Sequence, residues 1–297
     1  MFQQQVNLMQ LFEMAAGTTI GSMHRQLDKS NQDAYGLVQR PDMLIGIVCD
    51  GASKGFRGPM GDWTHSEVGA QLSTRWLLSL VQTYCTRFMQ RPHELSEDSP
   101  FPYWEDIRQE LIQLVELCAV HMDGNMVERI VDYFLCTVLG VMVTPYGICT
   151  FSIGDGVFIL NGDVQTIGPF PDNKPPYAAY ALTGSEVTDA RSDLLSFSVN
   201  YLPLSQLESL VVATDGLGDL LGIGDVLIPG TSELVGSVDQ LWTDDTHFTN
   251  PVSLSRYLSR VNRQSVQLDR EAVKLISHRG LLQDDTTCVV IRRKSDA

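Results

Sequence analysis

The stretch DAYGLVQRPDMLIGIVCDG, residues 33–51, decides the reading of the fold. AYGLVQR and MLIGIVC flank Pro41-Asp42, a dipeptide with turn chemistry, so the two arms are predicted to form an antiparallel hairpin. The second arm is a continuous apolar run, predicted to be a strand buried on both faces. It ends in Asp50-Gly51. LVVATDG, residues 210–216, repeats the arrangement with Asp215-Gly216. Asp33, Asp155 and Asp284 also stand where apolar runs begin or end. Strand ends are where a rigid scaffold presents functional groups. Glycine there lets the backbone turn sharply or approach a ligand.

Outward from the hairpin, residues 1–16 read as a polar-to-apolar leader without the basic start or long apolar run of a signal peptide. TTIGS (18–22) reads as a first strand and residues 24–33 as a loop. GASKGFRGPMG (51–61) is a glycine-rich loop. From Asp62 to about Met89 the pattern is helical, with Val68, Leu72, Trp76, Leu80 and Tyr84 recurring every four residues. Prolines in 91–102 break that helix. A second one follows, with Ile107, Leu111, Leu114, Leu117 and Cys118 on one stripe and Gly124 near its end. From Phe134 the character is β: FLCTVLGVMVT, then ICTFSIGDGVFILNGDVQTIG, where Asn161-Gly162 is a hairpin signal. After a proline-rich loop at 169–177, AYAL, LLSFSV and SLVVATDG continue the strands. Residues 218–250 are irregular, 251–278 carry helical patterning, and TTCVVIRR is the last strand.

Strands joined by short turns argue for antiparallel sheets, and helices segregated into blocks argue for an α+β fold rather than alternating βαβ units. Two face-to-face sheets with helix pairs outside would use this inventory, as one domain over residues 17–297.

The 297 residues are 43% apolar and 19% charged, enough for a sizeable core. A formal net charge of -15 argues against nucleic acid and anionic membrane as partners. No window reaches transmembrane length. The 6 cysteines form no CxxC pair, so a zinc site or disulfide framework is not expected and a reducing cytoplasm is the expected compartment. No P-loop and no Cys-x5-Arg loop occurs.

One Asp-Gly alone is as well explained by an ordinary turn. Several converging carboxylates are different. Two unit charges ~5 Å apart repel by roughly 3 kcal/mol at an effective dielectric of 20. A converging set therefore implies bound cations or raised pKa values, and carboxylates with backbone oxygens suit Mg²⁺ or Mn²⁺.

In order, SNQDA (30–34), IVCDGA (47–52), FLCTVLG (134–140), SIGDG (152–156), ATDGL (213–217) and QDDTTCVVI (283–291) resemble the motifs of the 2C-type metal-dependent protein serine/threonine phosphatases, in their bacterial-like branch. The resemblance runs from about Gly21 to Arg293. It implies a four-layer α-β-β-α sandwich, two antiparallel sheets flanked by helix pairs. It also implies hydrolysis of phosphoserine and phosphothreonine in a phosphoprotein substrate, using two Mn²⁺ or Mg²⁺ ions. Asp50 matches the aspartate that bridges the metals, Gly51 the residue whose carbonyl binds the second, and Asp215 and Asp284 the other carboxylate ligands of the first. Asp33 matches an aspartate that orders water at the metals. Asp132, five residues before Thr137, has the offset of an aspartate for a third cation; a solvated junction residue is the other reading. Asp155 matches a structural aspartate, and Asp285 a residue behind the ligands. A monomer is the expected state.

Departures from the pattern fall on the groups that grip phosphate and protonate the leaving group. Many members have Arg five residues before the aspartate of the NxD motif; here Asp28 stands there. Arg25 and Lys29 are the candidate phosphate contacts, with Lys54 and Arg57 as others. Ala52 replaces a histidine that many members have, leaving His24, His65 or water as proton donor. Gln32 stands where Glu is common. A second reading therefore stays open: a regulatory protein of low activity that binds a phosphorylated partner.

Overall fold

The chain enters the fold earlier than its sequence suggests. The protein is seen in a computed structural model describing residues 6–52, 64–171, 174–183, 195–269 and 273–295. Leu8–Leu11 form a short helix, α1, capped by the Asn7 side chain, which accepts the Met9 N–H. Phe12–Thr19 form β1. This strand pairs antiparallel with the C-terminal strand along its length, from Phe12 opposite Arg293 to Thr19 opposite Thr286. Leu8, Phe12 and Met14 are buried. Residues 8–16 are therefore part of the sandwich rather than a leader, and TTIGS supplies only the end of the first strand.

The remaining elements follow in order. They are α2 (Ser22–Gln26), β2 (Asp33–Arg40), β3 (Met43–Asp50), α3 (Ser66–Phe88), α4 (Trp104–Val120), α5 (Met126–Tyr133), β4 (Val138–Thr144), β5 (Gly147–Ile153), β6 (Gly156–Leu160) and β7 (Asp163–Ile167). Then come β8 (Ser198–Leu202), β9 (Ser209–Ala213), α6 (Gly218–Leu221), α7 (Gln240–Thr243), α8 (Thr246–Thr249), α9 (Ser253–Val261), β10 (Ser265–Asp269), β11 (Lys274–His278) and β12 (Thr286–Arg293).

Two five-stranded antiparallel sheets result, ordered β1-β12-β9-β6-β7 and β2-β3-β4-β5-β8, with β10-β11 as a separate hairpin. β3 shows why its run is apolar throughout. Leu44 and Val48 meet Met14, Val212 and Val289 between the sheets. Ile45, Ile47 and Cys49 meet Ala70, Leu77 and Val81 of α3 on the other face. Across the molecule, Leu254, Leu258 and Val261 of α9 cover Val211, Ala213 and Val290. The fold is the expected α+β four-layer sandwich.

Several local expectations change. Of the every-fourth stripe in α3, Tyr84 is buried and Leu72, Trp76 and Leu80 are half-buried, but Val68 is 39% exposed. The buried face is Ala70, Ser73, Thr74, Leu77, Val81, Tyr84, Cys85 and Phe88; the small residues at its start let the helix lie close on β2 and β3. In α4, Leu117 is exposed, whereas Ile112, Val115 and Ala119 are buried. Helix α5 was hidden between Gly124 and the β run; Asn125 caps it by accepting the Val127 and Glu128 N–H groups. AYAL is a 3-10 turn. Residues 251–278 are helical only to Val261, then form the β10-β11 hairpin. At Asn161-Gly162 both residues have positive φ, 52° and 92°, as a two-residue hairpin turn requires.

Candidate metal centre

The fold gathers the strand-end aspartates at one end of the sandwich. Asp33 opens β2 and Asp50 closes β3, and the ladder sets them directly opposite each other. From the facing sheet, β9 closes just before Asp215 and β12 opens just after Asp284. Antiparallel neighbours meet there because one strand leaves where the next enters.

Each aspartate is held differently. Thr137 fixes Asp50: its N–H donates to the Asp50 carbonyl at 2.8 Å and its hydroxyl accepts the Asp50 N–H at 3.3 Å. The Asp33 Oδ2 accepts the Thr214 hydroxyl at 2.7 Å, and Thr214 Oγ1 accepts the Thr287 N–H at 3.0 Å. Asp33 is buried, yet its Oδ1 has no partner. A buried carboxylate oxygen without a donor is costly unless something not yet counted meets it.

Asp50 is half-buried, while Asp215 and Asp284 are exposed, so the group runs from a closed floor at Asp33 to an open mouth. All four carboxyls are pushed up from the usual range. Burial is the first cause for each. Asp33, Asp215 and Asp284 add repulsion at Asp50. Asp215, with Asp284 and Asp155 beside it, rises to about 6. Protein packed behind Asp215 and Asp284 withdraws water from one side, while their other side faces solvent, which screens part of the repulsion.

The glycines are fitted to the same end. A Cβ on Gly51 would lie 2.8 Å from the Ser66 carbonyl and 2.9 Å from that of Gln32. A Cβ on Gly216 would collide with the Asp285 carbonyl. No side chain fits at either position without moving backbone.

Asp285 is a clamp. It is buried, and its two oxygens accept the Gly21 N–H at 2.6 Å and the Gln32 N–H at 2.5 Å. His24 Nδ1 lies 3.0 Å from Asp285 and 3.7 Å from Asp284. These three residues place ligand-type atoms within 4.8 Å of one another. Because both Asp285 oxygens already take backbone donors, we read that trio as support behind Asp284. Contact with Asp285 raises the His24 pKa, against the lowering effect of burial.

The other sequence candidates separate. Asp132, near the end of α5, is pushed up by burial, and its carbonyl accepts the His65 N–H at 2.7 Å. Asp155, in the β5–β6 turn, adds to the repulsion at Asp215. Arg25 donates to the carbonyls of Asn262 at 3.1 Å and Ile20 at 3.4 Å, so it ties α2 to the end of α9. Lys29 is close enough to His24 to lower its pKa. His65 is exposed and stacks on Tyr133 with centroids 5.4 Å apart. Gln32 donates to Ser66 Oγ at 2.8 Å and leaves its own buried Oε1 unpaired. Lys54 and Arg57 lie outside the described residues. Sequence reasoning missed Thr214 and Thr287, which hold Asp33; the only signal was that each borders a strand-end aspartate motif.

The sequence profile described as protein phosphatase 2C matches residues 20–261. The chain belongs to this family. Solved structures agree on the fold. The serine/threonine phosphatase Stp1 from Staphylococcus aureus is similar at 11% identity, over 96% of each chain, with a TM-score of 0.50. A variant of a bacterial serine phosphatase is similar at 12% identity, over 95% of this chain and 97% of that one, also with a TM-score of 0.50. Among curated proteins, none matches by sequence. At the family level the protein is a phosphatase, and no helix among the described residues is long and apolar enough to cross a membrane.

Proposed function

We propose that the protein is a metal-dependent phosphatase for phosphoserine and phosphothreonine in proteins. In this reading Asp50, the Gly51 carbonyl, Asp215 and Asp284 hold two Mn²⁺ or Mg²⁺ ions, Asp33 orders water beside them, and Asp132 helps to hold a third. The observation that carries it is the convergence of four carboxyls with raised pKa values around an unpartnered, buried Asp33 oxygen. A cation would relieve both the repulsion and the missing partner, and an all-oxygen donor set suits a hard ion.

When bound, such a pair of ions supplies an activated water as nucleophile and neutralises charge on the phosphoryl oxygens. The chain supplies position. Thr214 fixes one Asp33 oxygen, which leaves the other to accept from water. Thr137 and the opposed β2-β3 register fix Asp50. The exposed edges of Asp215 and Asp284 leave the mouth open to a residue carried on another protein. Lys29, beside His24, is the remaining described candidate for a phosphate contact on α2. A monomer in a reducing cytoplasm fits the six free cysteines.

The test is hydrolysis of a phosphothreonine peptide and of p-nitrophenyl phosphate with Mn²⁺. We expect turnover that EDTA abolishes. No turnover from folded protein across several pH values would contradict the reading. One observation favours the alternative of a low-activity phosphoprotein binder: the Arg25 guanidinium is committed to Asn262 and Ile20. In that case the phosphopeptide binds with Mn²⁺ but is not cleaved.

A further inference from the structure

A chain with net charge -15 has 21 Lys and Arg residues, and they are not spread evenly. Arg256 and Arg260 stand one turn apart on α9, and Arg263 follows two residues past its end. All three are exposed. With Val252, Ser255 and Ser259 they line a shallow groove of about 420 Å³. Among the described residues, Arg260 has an acidic partner, Glu233 at 3.1 Å, and that pair is half exposed on both sides, so it is readily exchanged.

The helix that carries the groove is tied to the segments behind the acidic cluster. At the end of α9, Asn262 donates to the Ile20 carbonyl at 2.7 Å and accepts the Leu282 N–H at 3.0 Å. Its carbonyl accepts Arg25. Gly21, next to Ile20, is bonded to Asp285. The cationic face thus ends against the two segments that carry His24 and Asp284. From Arg256 to the helix end at Val261 is roughly 8 Å, so the three arginines span about three extended residues.

We propose that this groove docks an acidic segment of the phosphoprotein substrate, a run of Asp, Glu or further phosphoresidues a few positions from the residue being dephosphorylated. The inference rests on the phosphatase reading for the site that it feeds. An anionic occupant follows from the charge: three arginines lining one groove attract carboxylates and phosphates. A second copy is disfavoured, because two such faces repel; nucleic acid, charged densely along its whole length, would extend past the short arginine groove onto the acidic surface.

The test compares phosphothreonine peptides that differ only in an Asp/Glu run or a Lys run placed several residues from the phosphothreonine. For the wild-type protein, kcat/KM is expected to be at least tenfold higher for the acidic peptide, through KM, with the difference shrinking in salt. The exposed triple variant R256E/R260E/R263E is expected to abolish that preference and keep wild-type hydrolysis of p-nitrophenyl phosphate. Replacement of all three by Lys keeps most of the preference. Fluorescence anisotropy of the labelled peptides measures docking without turnover, so absent catalysis leaves the docking result readable. Equal affinity for both peptides, or an unchanged preference in a folded triple variant, overturns the proposal. Tighter binding of single-stranded DNA than of the acidic peptide does so too.

Discussion

At the scale of the residue, the proposed metal centre is built from carboxyls that the fold places together against their own repulsion. Asp50 feels Asp33, Asp215 and Asp284 at once. Asp50→Asn is therefore expected to lower turnover by at least about a hundredfold, a loss at the upper end of what even supporting residues around a metal produce. The same change is expected to stabilise the metal-free protein by roughly 1 kcal/mol, since one repelling charge is removed. Phosphopeptide kinetics and urea denaturation in EDTA measure the two effects. Wild-type rates, or a destabilised metal-free variant, would show that Asp50 is not in a repelling ligand set. Gly51→Ala should cost about 1–3 kcal/mol, because its Cβ would press on the Ser66 and Gln32 carbonyls; denaturation midpoints check this. The strand-end aspartates were legible in sequence because each closes or opens an apolar run. The partners were not: nothing local in SNQDA says that Asp33 will meet Thr214, 181 residues away.

At the scale of the element, β1 and the Asp285 clamp hold the site's edges. Sequence reading took residues 1–16 as a polar-to-apolar leader. Yet β1 pairs with β12 along its whole length, and α9 lies so close that a Cβ on Gly17 would sit 2.7 Å from the Ser255 nitrogen. Removing residues 1–16 is expected to abolish cooperative unfolding, as followed by circular dichroism; an unchanged melt would return that segment to the status of a leader. Asp285→Asn would turn an NH₂ group toward the Gly21 or Gln32 N–H, both of which now donate to carboxylate oxygens. The expected loss is about 1–3 kcal/mol, with weakened Mn²⁺ affinity because Asp284 loses its support. Helix α3 was legible in type but not in facing. Apolar spacing picked Val68, whereas contact with the sheet selected the small residues Ala70, Ser73 and Thr74.

At the scale of the whole molecule, the two sheets meet so that strand ends of opposite polarity share one pole, and the acidic cluster sits there. Metal-free protein therefore has a characteristic pH response. The folded-state pKa values of Asp33, Asp50, Asp215 and Asp284 lie above their unfolded values. The native state then holds more protons than the unfolded chain, so this contribution is full below about pH 4 and is lost as pH rises. For Asp215 the loss runs from about pH 4 and is complete just above the folded value of about 6. In EDTA, the stability difference between wild type and Asp215→Asn should widen in favour of the variant from pH 4.5 to 7.5, read as urea midpoints. A constant difference would mean that Asp215 is not strained. The antiparallel sandwich itself was legible from hairpin signals and segregated helices. The hairpin of β10 and β11 was not, since it stands outside either sheet and leaves Val266, Leu268 and Leu275 exposed, without a buried-face pattern.

The most direct test of the central claim is a calorimetric titration of metal-free protein with Mn²⁺ at neutral pH, repeated on Asp50→Asn and Asp215→Asn. The account predicts saturable binding of at least two ions to the wild-type protein with release of protons, and loss of at least one ion in each variant. No saturable binding to folded wild-type protein, or identical isotherms for all three, would contradict it.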